Sequence, residues 1–394
     1  MERETLWIIS ELFPPEETST GYIMGEIAVA LTQKYNVKVI CGPKVYDDKK
    51  IMVGDEAIDK IIQIFRVPAV KENKGSKLSR IKKFVMMSWR LYRTAKKQIK
   101  RGERVLMVSN PFPLIVLMGY LKRSRAFNLS LLVHDVFPEG LYTEIQIPSW
   151  IYSFAETVFN RAYSSVDTLI SIGRDMKDIM YAKCCESAKP PKIVAIENWG
   201  DITTIKPRES NNSGYIRIQY AGNIGNSQGL NDFVELFHDA ANPNVHLDIW
   251  GTGSAEESLK QRVAELNCSS HIHFHGPYTR KEQDQVLNDA DIALIVLVKG
   301  MYGLGVPSKS YNIMAAGKPI FYIGDRGSEI WLTIQDNAIG YCFEPDDKNG
   351  IISFIRSLSL DQLPSLVMKG KIARKVVERK YSKEIILNKF LDVI

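Results

Sequence analysis

A histidine and two carboxylic acids follow a strongly apolar segment in the first half of the sequence. Residues 129–136, LSLLVHDV, are typical of a buried strand, and His134, Asp135 and Glu139 lie at its end or just beyond it. A polar side chain buried there must be hydrogen-bonded or serve a function. Asp135 and Glu139 are candidates for taking a proton from a hydroxyl group, as a general base does. The alternative for His134 is a hydrogen-bonded structural histidine.

Two glycine-rich loops in the second half are suited to an anionic ligand. The segments 222–229, GNIGNSQG, and 303–308, GLGVPS, each precede a predicted helix. Glycine lets the backbone approach a ligand closely, and the unpaired amides of a helix N-terminus attract phosphate. Ser308 can cap the second helix, and Lys309 adds a full positive charge. The pattern predicts a phosphate-binding site, and the alternative is that Lys309 is an ordinary solvated residue.

Two further patterns imitate metal sites. His271, His273 and His275 alternate and therefore share one face of a predicted strand, and Asp289 and Asp291 have Asp-x-Asp spacing. No carboxylate or cysteine beside the histidines completes a zinc set, and the aspartates lie at a helix end, where capping explains them. We expect structural roles for both patterns and no bound metal.

Apolar runs alternate with amphipathic segments along the chain, which predicts parallel β-α-β units. The apolar runs lack polar alternation, so helices should cover both faces of each sheet. We predict strands at 6–13, 37–42, 61–67, 104–109, 129–136, 167–172, 193–198, 215–222, 245–251, 271–276, 291–298, 318–324 and 339–343. We predict helices at 22–34, 77–101, 113–124, 149–164, 174–183, 229–241, 255–267, 279–289, 308–316 and 327–335, and from 347 to the end.

Two doubly wound domains account for the length of 394 residues. We predict an N-terminal Rossmann-like domain over 1–200, a C-terminal one over 201–375, and a C-terminal helix, 376–394, that could pack back on the first domain. The polar segment 207–214 is a linker or long turn. Ligands of such sheets bind beyond the carboxyl ends of the strands, so we expect the two domains to face a central cleft.

The composition indicates a globular protein of a reducing compartment. Hydrophobic residues make up 45% and charged residues 24%, which argues against a disordered chain. No segment approaches the roughly 18 uninterrupted apolar residues of a membrane-spanning helix, and we expect no signal peptide. The 5 cysteines include no Cys-x-x-Cys pair, which argues against disulfides and zinc. We therefore expect a cytoplasmic protein.

The net charge of +6 is concentrated in one part of the chain, because residues 71–104 hold 13 basic residues but only two acids. Within 77–101, apolar residues recur at helical spacing beside many cations, as in a helix at a membrane interface. We predict peripheral binding to the anionic inner face of the plasma membrane through Lys82, Lys83, Trp89, Arg90, Arg93 and Lys97. The alternative is a helix that packs on the sheet and exposes only its charges. We expect no nucleic acid, because aromatic stacking positions do not recur there.

Several motifs, in order along nearly the whole chain, resemble glycosyltransferase family 4. They are Ile196-Glu-Asn-Trp-Gly-Asp201, Tyr220-Ala-Gly-Asn-Ile-Gly225, Leu247-Asp-Ile-Trp-Gly-Thr-Gly253, His273-Phe-His-Gly-Pro-Tyr278, Ala290-Asp-Ile-Ala-Leu294 and Val306-Pro-Ser-Lys309 continuing to Gly317-Lys-Pro319, together with the His134–Glu139 segment. The Pro-Ser-Lys motif and the Asn-Trp pair resemble the branch that builds bacterial surface polysaccharides. The resemblance implies the α/β GT-B architecture and a retaining transfer of sugar.

The resemblance also implies residue roles. His134 would contact the transferred sugar and help to stabilise positive charge at its anomeric carbon, and Asp135 and Glu139 would lie near the acceptor. The Thr20-Gly21 turn would lie beside the donor phosphates or the acceptor, or else be an ordinary loop capped by Thr20. The implied donor-binding residues are Gly21, Asn198, Asn223, Gly225, Gln228, Gly251, Gly253, Pro277, Tyr278, Gly305, Val306, Pro307, Ser308, Lys309 and Asn312.

Two departures from the family pattern bear on the chemistry. Family members carry an Arg and a Lys that neutralise the donor diphosphate, where this chain has Asn223 and Gln228. They also carry a Glu-x7-Glu pair beside the donor sugar and ribose, where this chain has Leu304 and Asn312. The leaving diphosphate still needs a cation or aimed N–H donors, so we expect Lys309 and the loop amides to supply them without a metal.

The predicted function is a retaining transfer from a nucleotide-diphosphate sugar, UDP-linked, with no other cofactor. The sugar would be an N-acetylhexosamine or a deoxy-amino sugar, and the acceptor lipid-linked or an oligosaccharide in capsule, O-antigen or exopolysaccharide synthesis. A catalytically silent GT-B scaffold that binds donor or lipid is one alternative. A sugar-nucleotide epimerase and a phosphorylase of the same architecture are others, although the missing carboxylates argue against the epimerase.

Overall fold

The computed structural model describes residues 3–16, 18–44, 56–70, 77–142, 148–208 and 214–394. Within these ranges, thirteen β-strands alternate with fifteen α-helices. The strands are β1 (Thr5–Ser10), β2 (Asn36–Cys41), β3 (Gln63–Arg66), β4 (Arg104–Val108), β5 (Asn128–Val133), β6 (Thr168–Ser171), β7 (Lys192–Ala195), β8 (Ile216–Ala221), β9 (Val245–Trp250), β10 (Ile272–Gly276), β11 (Ile292–Val296), β12 (Ile320–Ile323) and β13 (Gly340–Phe343). Each predicted strand segment overlaps one of them.

The helices follow the predicted order with two additions. They are α1 (Ser19–Leu31), α2 (Glu56–Ile61), α3 (Lys77–Gln98), α4 (Pro113–Arg125), α5 (Glu139–Tyr142), α6 (Ser149–Tyr163), α7 (Arg174–Cys184), α8 (Leu230–Ala240), α9 (Glu256–Glu265), α10 (Gln283–Asn288), α11 (Lys309–Ala315), α12 (Glu329–Asn337), α13 (Lys348–Ser357), α14 (Leu363–Lys380) and α15 (Lys383–Val393). The sequence missed α2 and α5, because helices of six and four residues are too short to show a 3.6-residue period.

The first sheet is parallel throughout, in the order β3-β2-β1-β4-β5-β6-β7. The order reverses direction between β1 and β4, which is the switch point of a doubly wound fold. Four consecutive residues of β1, Leu6 to Ile9, are buried, so both faces of the strand are covered. Helices α3, α4 and α6 lie side by side on this unit.

The second sheet is also parallel, in the order β10-β9-β8-β11-β12-β13, with its switch point between β8 and β11. Residues Ile292 to Ile295 of β11 are all buried. Tyr220, Phe233 and Phe321 belong to the buried core that joins the sheet to its helices. The predicted pair of doubly wound parallel α/β folds is therefore confirmed.

The chain forms two compact units, which are not simply its two halves. Residues 1–196 and 387–394 make the first unit, and residues 197–386 make the second. The end of α15 is held in the first unit, where Lys34 Nζ donates to the carbonyl of Leu391 at 2.9 Å and Arg104 donates to that of Ile394 at 2.8 Å. The sequence-based boundaries at 200 and 375 differ from these. Within the ranges described above, no helix has the length and apolarity to cross a bilayer.

Candidate functional site

In the first unit, a buried serine ties together the carboxyl ends of β4 and β5. The hydroxyl of Ser109 accepts hydrogen bonds from the backbone N–H of His134 at 3.1 Å and of Asp135 at 3.2 Å. The Asn110 side chain donates to Asp135 Oδ2 at 2.7 Å. Because β4 and β5 are parallel neighbours, their ends meet at the edge where such sheets bind ligands. The sequence identified His134 and Asp135, and Asn110 as part of a strand-end loop, but it missed Ser109, whose hydroxyl holds the backbone of the first two residues.

The His134 ring is not a satisfied structural histidine. Its Nε2 atom is buried, and nothing in the described part of the chain hydrogen-bonds to it. Burial lowers the pKa of His134 to about 4, so the imidazole is neutral at pH 7. A neutral imidazole presents one donor and one acceptor nitrogen. The ring therefore has a buried nitrogen whose hydrogen bond is unmade in the described structure, which is unfavourable there.

Glu139 lies on helix α5, and residues of two neighbouring helices bind its carboxylate. It is the first residue of α5, and its Oε1 atom pairs with the ammonium of Lys183 on α7. The hydroxyl of Tyr152 on α6 donates to the same oxygen at 3.3 Å. Glu139 therefore joins three helices, while Asp135 remains at the strand end beside His134.

Gly21 is required by the turn that begins α1. The hydroxyl of Thr18 accepts from the N–H of Gly21 at 3.1 Å and caps the helix. A Cβ atom on Gly21 would lie 2.7 Å from the carbonyl oxygen of Glu16. The proposed cap at Thr20 is wrong, because Thr20 already lies inside the helix.

In the second unit, two strand-end loops continue the pairing of β8 and β9. The N–H of Gly222 donates to the carbonyl of Trp250, and that of Ile224 to the carbonyl of Thr252, both at 2.9 Å. A Cβ atom on Gly251, whose φ is +127°, would lie 1.8 Å from the oxygen of Gly222. Contact between the two backbones thus explains this glycine without any ligand. For the same reason a Cβ on Gly253 would lie 2.2 Å from the carbonyl oxygen of Ile224.

The two residues that replace the family's cations behave differently from each other. Gln228 folds back on its own loop, where its Oε1 accepts from the N–H of Gly225 at 2.9 Å and its Nε2 donates to Ser227 at 3.1 Å. Asn223 is exposed, and its backbone carbonyl accepts from the hydroxyl of Tyr220. Gln228 therefore shapes the loop, and Asn223 leaves its amide free to face solvent or a ligand.

Lys309 lies beneath this glycine loop, and its side chain is half-buried. Its ammonium lies 3.5 Å from the ring centroid of Tyr220. A Cβ atom on Gly222 would lie 3.6 Å from Lys309 Nζ. The described ranges give Lys309 no carboxylate within salt-bridge distance. Burial lowers its pKa to about 7, so the ammonium is stabilised by little except the ring and any anion that binds at the loop.

Several other residues that were predicted to bind the nucleotide-sugar donor make contacts within the second unit. Asn312 accepts from the N–H of Asp201 at 2.9 Å and donates to Gln283 at 3.3 Å, and Leu304 is buried, so neither replaces a carboxylate. Ser308 does not cap α11 with its hydroxyl, contrary to the sequence-based prediction, because it has helical φ and ψ. The remaining predicted donor residues are Asn198, buried; Gly305, Val306 and Pro307, in the loop before α11; and Pro277 and Tyr278, directly after β10.

The three alternating histidines, His271, His273 and His275, each have a hydrogen-bonding neighbour in the second unit. His273 Nε2 lies 3.1 Å from His246 Nδ1, and His275 Nε2 lies 2.7 Å from Asp248 Oδ1. Asp291 accepts from the N–H of Arg217 at 2.8 Å. Among the residues placed by the structure, no group of three or more His, Cys, Asp or Glu could hold a metal ion.

Helix α3 has one buried and one exposed apolar side. Met87 and Leu91 are buried, whereas Trp89 is 52% exposed, as are Ile81 at 43% and Val85 at 51%. Of the six residues predicted to contact a membrane, Lys82, Trp89, Arg93 and Lys97 are exposed and Lys83 is half-buried. Arg90 instead donates to the carbonyls of Pro68 and Ala69, at 3.0 and 2.7 Å. The helix therefore packs on the first unit through one side but exposes apolar residues as well as charges on the other, and membrane binding stays a prediction.

Two doubly wound parallel α/β units define the GT-B fold. Residues 201–376 match the family model described as Glycosyl transferases group 1. The chain is 29% identical to the probable glycosyltransferase WbjE of Pseudomonas aeruginosa, over 98% of this chain and 96% of that protein. It is 24% identical, over 60% of each, to Escherichia coli K12 WcaI, which is named as a colanic acid biosynthesis glycosyl transferase.

A solved E. coli structure, described as trehalose-6-phosphate bound with UDP-2-fluoro glucose, has a TM-score of 0.71 at 10% identity, covering 99% of this chain and 98% of that one. The predicted GT-B fold is confirmed, and the second unit contains a glycosyl transferases group 1 domain.

Proposed function

We propose that the protein is a retaining glycosyltransferase of family 4, which moves a sugar from a nucleotide-diphosphate donor bound at the second unit. The observation that carries the proposal is Lys309, a cation beneath the glycine loop that has no carboxylate partner among the residues the structure describes. It lies within the segment that matches the glycosyl transferases group 1 domain.

Lys309 supplies what the departing diphosphate needs. Negative charge builds on the phosphate oxygens as the bond to the sugar breaks, and a fixed cation in a site with little water stabilises that charge strongly. The anion in turn raises the pKa of Lys309 from about 7. A charge-assisted contact of this kind contributes on the order of 1.5–3 kcal/mol.

In this proposal, His134 contacts the transferred sugar and Asp135 lies close to the acceptor. The neutral His134 ring keeps an unpaired Nε2 for a sugar hydroxyl, and the backbone around it is fixed by Ser109. Asp135 is held by Asn110 close to the acceptor. The leaving phosphate takes the acceptor's proton, so no side-chain base is assigned.

For the donor we propose a UDP-linked N-acetylhexosamine or deoxy-amino sugar. The support is a structural neighbour bound with UDP-2-fluoro glucose. For the acceptor we propose a lipid-linked sugar or oligosaccharide in surface polysaccharide synthesis, in the cytoplasm. The support is the likeness to WcaI, whose name refers to colanic acid.

The test is transfer by the purified protein. Nucleotide sugars are screened by thermal shift, UDP-N-acetylhexosamines first, and radiolabelled transfer is then measured with those that bind. Lys309→Ala should weaken donor binding and transfer about tenfold to a hundredfold. Lys299→Ala is the control, because Lys299 is an exposed lysine of the same loop region that pairs with Asp346. Wild-type kinetics in Lys309→Ala would refute the proposed role.

A catalytically silent donor-binding protein is the second candidate. Leu304 and Asn312 favour it, because the first is buried and the second has both ends of its amide engaged by the protein. If a nucleotide sugar binds but is neither transferred nor hydrolysed, this candidate is correct. Measurable turnover that requires Lys309 excludes it.

We also propose that α3 holds the protein on an anionic membrane. Ile81, Val85 and Trp89 recur at four-residue spacing on the exposed side of the helix, with Lys82, Arg93 and Lys97 nearby. Each basic residue near an anionic leaflet contributes about 1 kcal/mol, so replacing these three cations with Gln should weaken vesicle binding by roughly a hundredfold.

Sedimentation with vesicles of phosphatidylserine and phosphatidylcholine at low salt measures that binding. The matched control replaces three exposed lysines of the second unit, Lys260, Lys281 and Lys348. Binding should fall as salt rises, because ions screen the charges. Equal binding by the two triple variants would leave α3 as an ordinary solvated helix.

A further inference from the structure

A cavity of about 900 Å³ lies in the second unit, between α14 and the amino ends of β11 and β12. Asp291 directly precedes β11, and Lys318 and Pro319 directly precede β12. The glycine loops and Lys309 follow the carboxyl ends of the strands in the same parallel sheet. The cavity is therefore at the opposite edge of the sheet from the proposed donor site.

One wall of the cavity is apolar. Leu363, Leu366 and Val367 line it from one face of α14, as their spacing of three and four residues requires. Val367 is 42% exposed, and the neighbouring Met368 is 59% exposed. Covering such side chains removes apolar surface from water and thereby stabilises a complex. The wall therefore favours a ligand with an apolar chain.

The other wall carries uncompensated positive charge. Lys318 lines the cavity although it is only 5% exposed, and the structure gives its ammonium no hydrogen bond or ion pair in the ranges it describes. Burial lowers the pKa of Lys318, while the longer-range field of Asp291 and Asp289 raises it. Lys371 and Lys375, which lie on α14, also line the cavity, and neither forms a salt bridge within the described ranges.

The other charged residues of the lining are already paired. Arg208 pairs with Asp284, and Arg374 pairs with Glu378. Asp291 accepts from the backbone N–H of Arg217. The three lysines are thus the charges that an incoming ligand would meet, and they select an anion.

Helix α14, which borders the cavity, is fixed to the rest of the second unit by close packing and hydrogen bonds. Gly370 of α14 packs against the turn after α11, where a Cβ atom would lie 1.9 Å from the carbonyl oxygen of Gly317. Arg374 donates to the carbonyls of Ile205, Ala315 and Ile202 at 2.6–3.0 Å, so the same helix is fixed a turn further on. A site that is already formed loses little free energy to ordering when a ligand binds.

We propose that this cavity is a second ligand site, which binds an anionic amphiphile with a phosphate head group and an apolar chain. The phosphate lies against Lys318, Lys371 and Lys375, and the chain lies along Leu363, Leu366 and Val367. The volume suits a ligand of this size, because small-molecule sites span about 300–1,000 Å³. The proposal does not depend on the glycosyltransferase activity.

The test uses dodecyl phosphate below its micelle concentration, with binding measured by calorimetry on the full chain. Inorganic phosphate and dodecyl maltoside supply the head group and the chain separately, and each should bind at least tenfold more weakly than dodecyl phosphate. If dodecyl maltoside binds equally well, the chain alone adheres to exposed apolar surface and the proposal is overturned.

Variants then locate the site. Lys318→Met should weaken dodecyl phosphate binding at least tenfold, as should the paired change of Lys371 and Lys375 to Gln. The paired change alters exposed residues, so it keeps the test decisive if Lys318→Met does not fold. Lys369→Met is the control on the same helix, because Lys369 reaches the carbonyl of Ala338 outside the cavity.

Lys309→Met separates the two sites. Dodecyl phosphate should bind this variant as it binds the wild type, while UDP should bind about tenfold to a hundredfold more weakly. Loss of dodecyl phosphate binding in Lys309→Met, or its full retention in the lysine variants of the cavity, would overturn the proposal.

Discussion

Replacing Lys309 with methionine should make the protein more stable and, at the same time, weaken its binding of the proposed donor. Methionine has nearly the length of lysine and can lie over Tyr220 without a charge. Burial lowers the pKa of Lys309 from 10.5 to about 7. At about 1.4 kcal/mol for each pKa unit, that decrease corresponds to roughly 5 kcal/mol of destabilisation by the charged form.

The ring of Tyr220 offsets part of this effect. An ammonium 3.5 Å from an aromatic centroid gains about 2 kcal/mol when it is shielded from water. The net expectation is that Lys309→Met raises the free energy of unfolding by about 3 kcal/mol near pH 6.5.

The stability advantage of Lys309→Met over the wild type should decrease as the pH rises. Below pH 7 the lysine is charged in both the folded and the unfolded chain, so the folded state carries the full destabilisation. Between pH 7 and 10.5 the folded lysine loses its proton while the unfolded one keeps it, so the destabilisation fades. The difference between Lys309→Met and the wild type should therefore shrink to less than half by pH 9.5.

Urea unfolding at pH 6.5 and 9.5 measures this difference, and UDP calorimetry on the same samples measures donor binding. UDP affinity should fall tenfold to a hundredfold in the variant. Wild-type protein at pH 8 should take up a proton as UDP binds, and the variant should not. Lys299→Met, at an exposed position, should change none of these quantities. A variant that is no more stable than the wild type at pH 6.5, or that still binds UDP tightly, would refute the reasoning.

Three further outcomes are expected. Gly251→Ala should destabilise the fold by more than 3 kcal/mol, because its Cβ would meet the backbone of Gly222. Gly276 also has a positive φ but faces open space, so Gly276→Ala should cost only about 1–2 kcal/mol. Urea unfolding measures both. Turnover should survive EDTA, because the charge on the diphosphate is met by Lys309; abolition by EDTA and recovery with Mg²⁺ or Mn²⁺ would contradict this. His134 should destabilise the fold as pH falls from 6.5 to 4, because its folded pKa of about 4 lies below the unfolded value. That acid-induced loss should be smaller in His134→Asn, and equal loss in the two proteins would show that the ring is not buried in its neutral form.

The order of strands and helices was predictable because buried parallel strands leave a strong signal. The segment around β11, DIALIVLV, has almost no polar residue, and the structure buries it on both faces. The positions of the loops followed from the strands, since each ligand-binding loop comes directly after a strand end. His134 and Lys309 were found in this way.

The partners of those residues could not be predicted. Ser109 is one serine among many at strand ends, and only the pairing of β4 with β5 brings its hydroxyl to His134. The ion pair between Glu139 and Lys183 joins two helices across 44 positions of sequence, a separation that leaves no periodic signal. The placement of Lys309 over Tyr220 depends on strand β8 lying beside β11.

The glycines show a limit of motif-based interpretation. Gly251 and Gly253 belong to a segment that resembles a donor-binding motif, and the sequence assigned them to donor contact. Their Cβ positions are instead filled by the backbone of the neighbouring loop. A chain that had lost its donor would still need these glycines to fold, whereas it would not need a shielded cation at Lys309.

The path of the chain has a consequence for engineering. Since residues 387–394 return to the first unit, residues 197–386 form an insertion within that unit. A chimera made with a single crossover near residue 200 would join the first unit to a foreign C-terminal tail and break the bonds from Lys34 to Leu391 and from Arg104 to Ile394. An exchange of donor specificity between relatives should therefore be spliced twice, near 196 and near 386. By the same topology, a protease that cuts near residue 196 leaves residues 1–196 and 197–394 as separate fragments, which only the noncovalent contacts of residues 387–394 within the first unit can hold together.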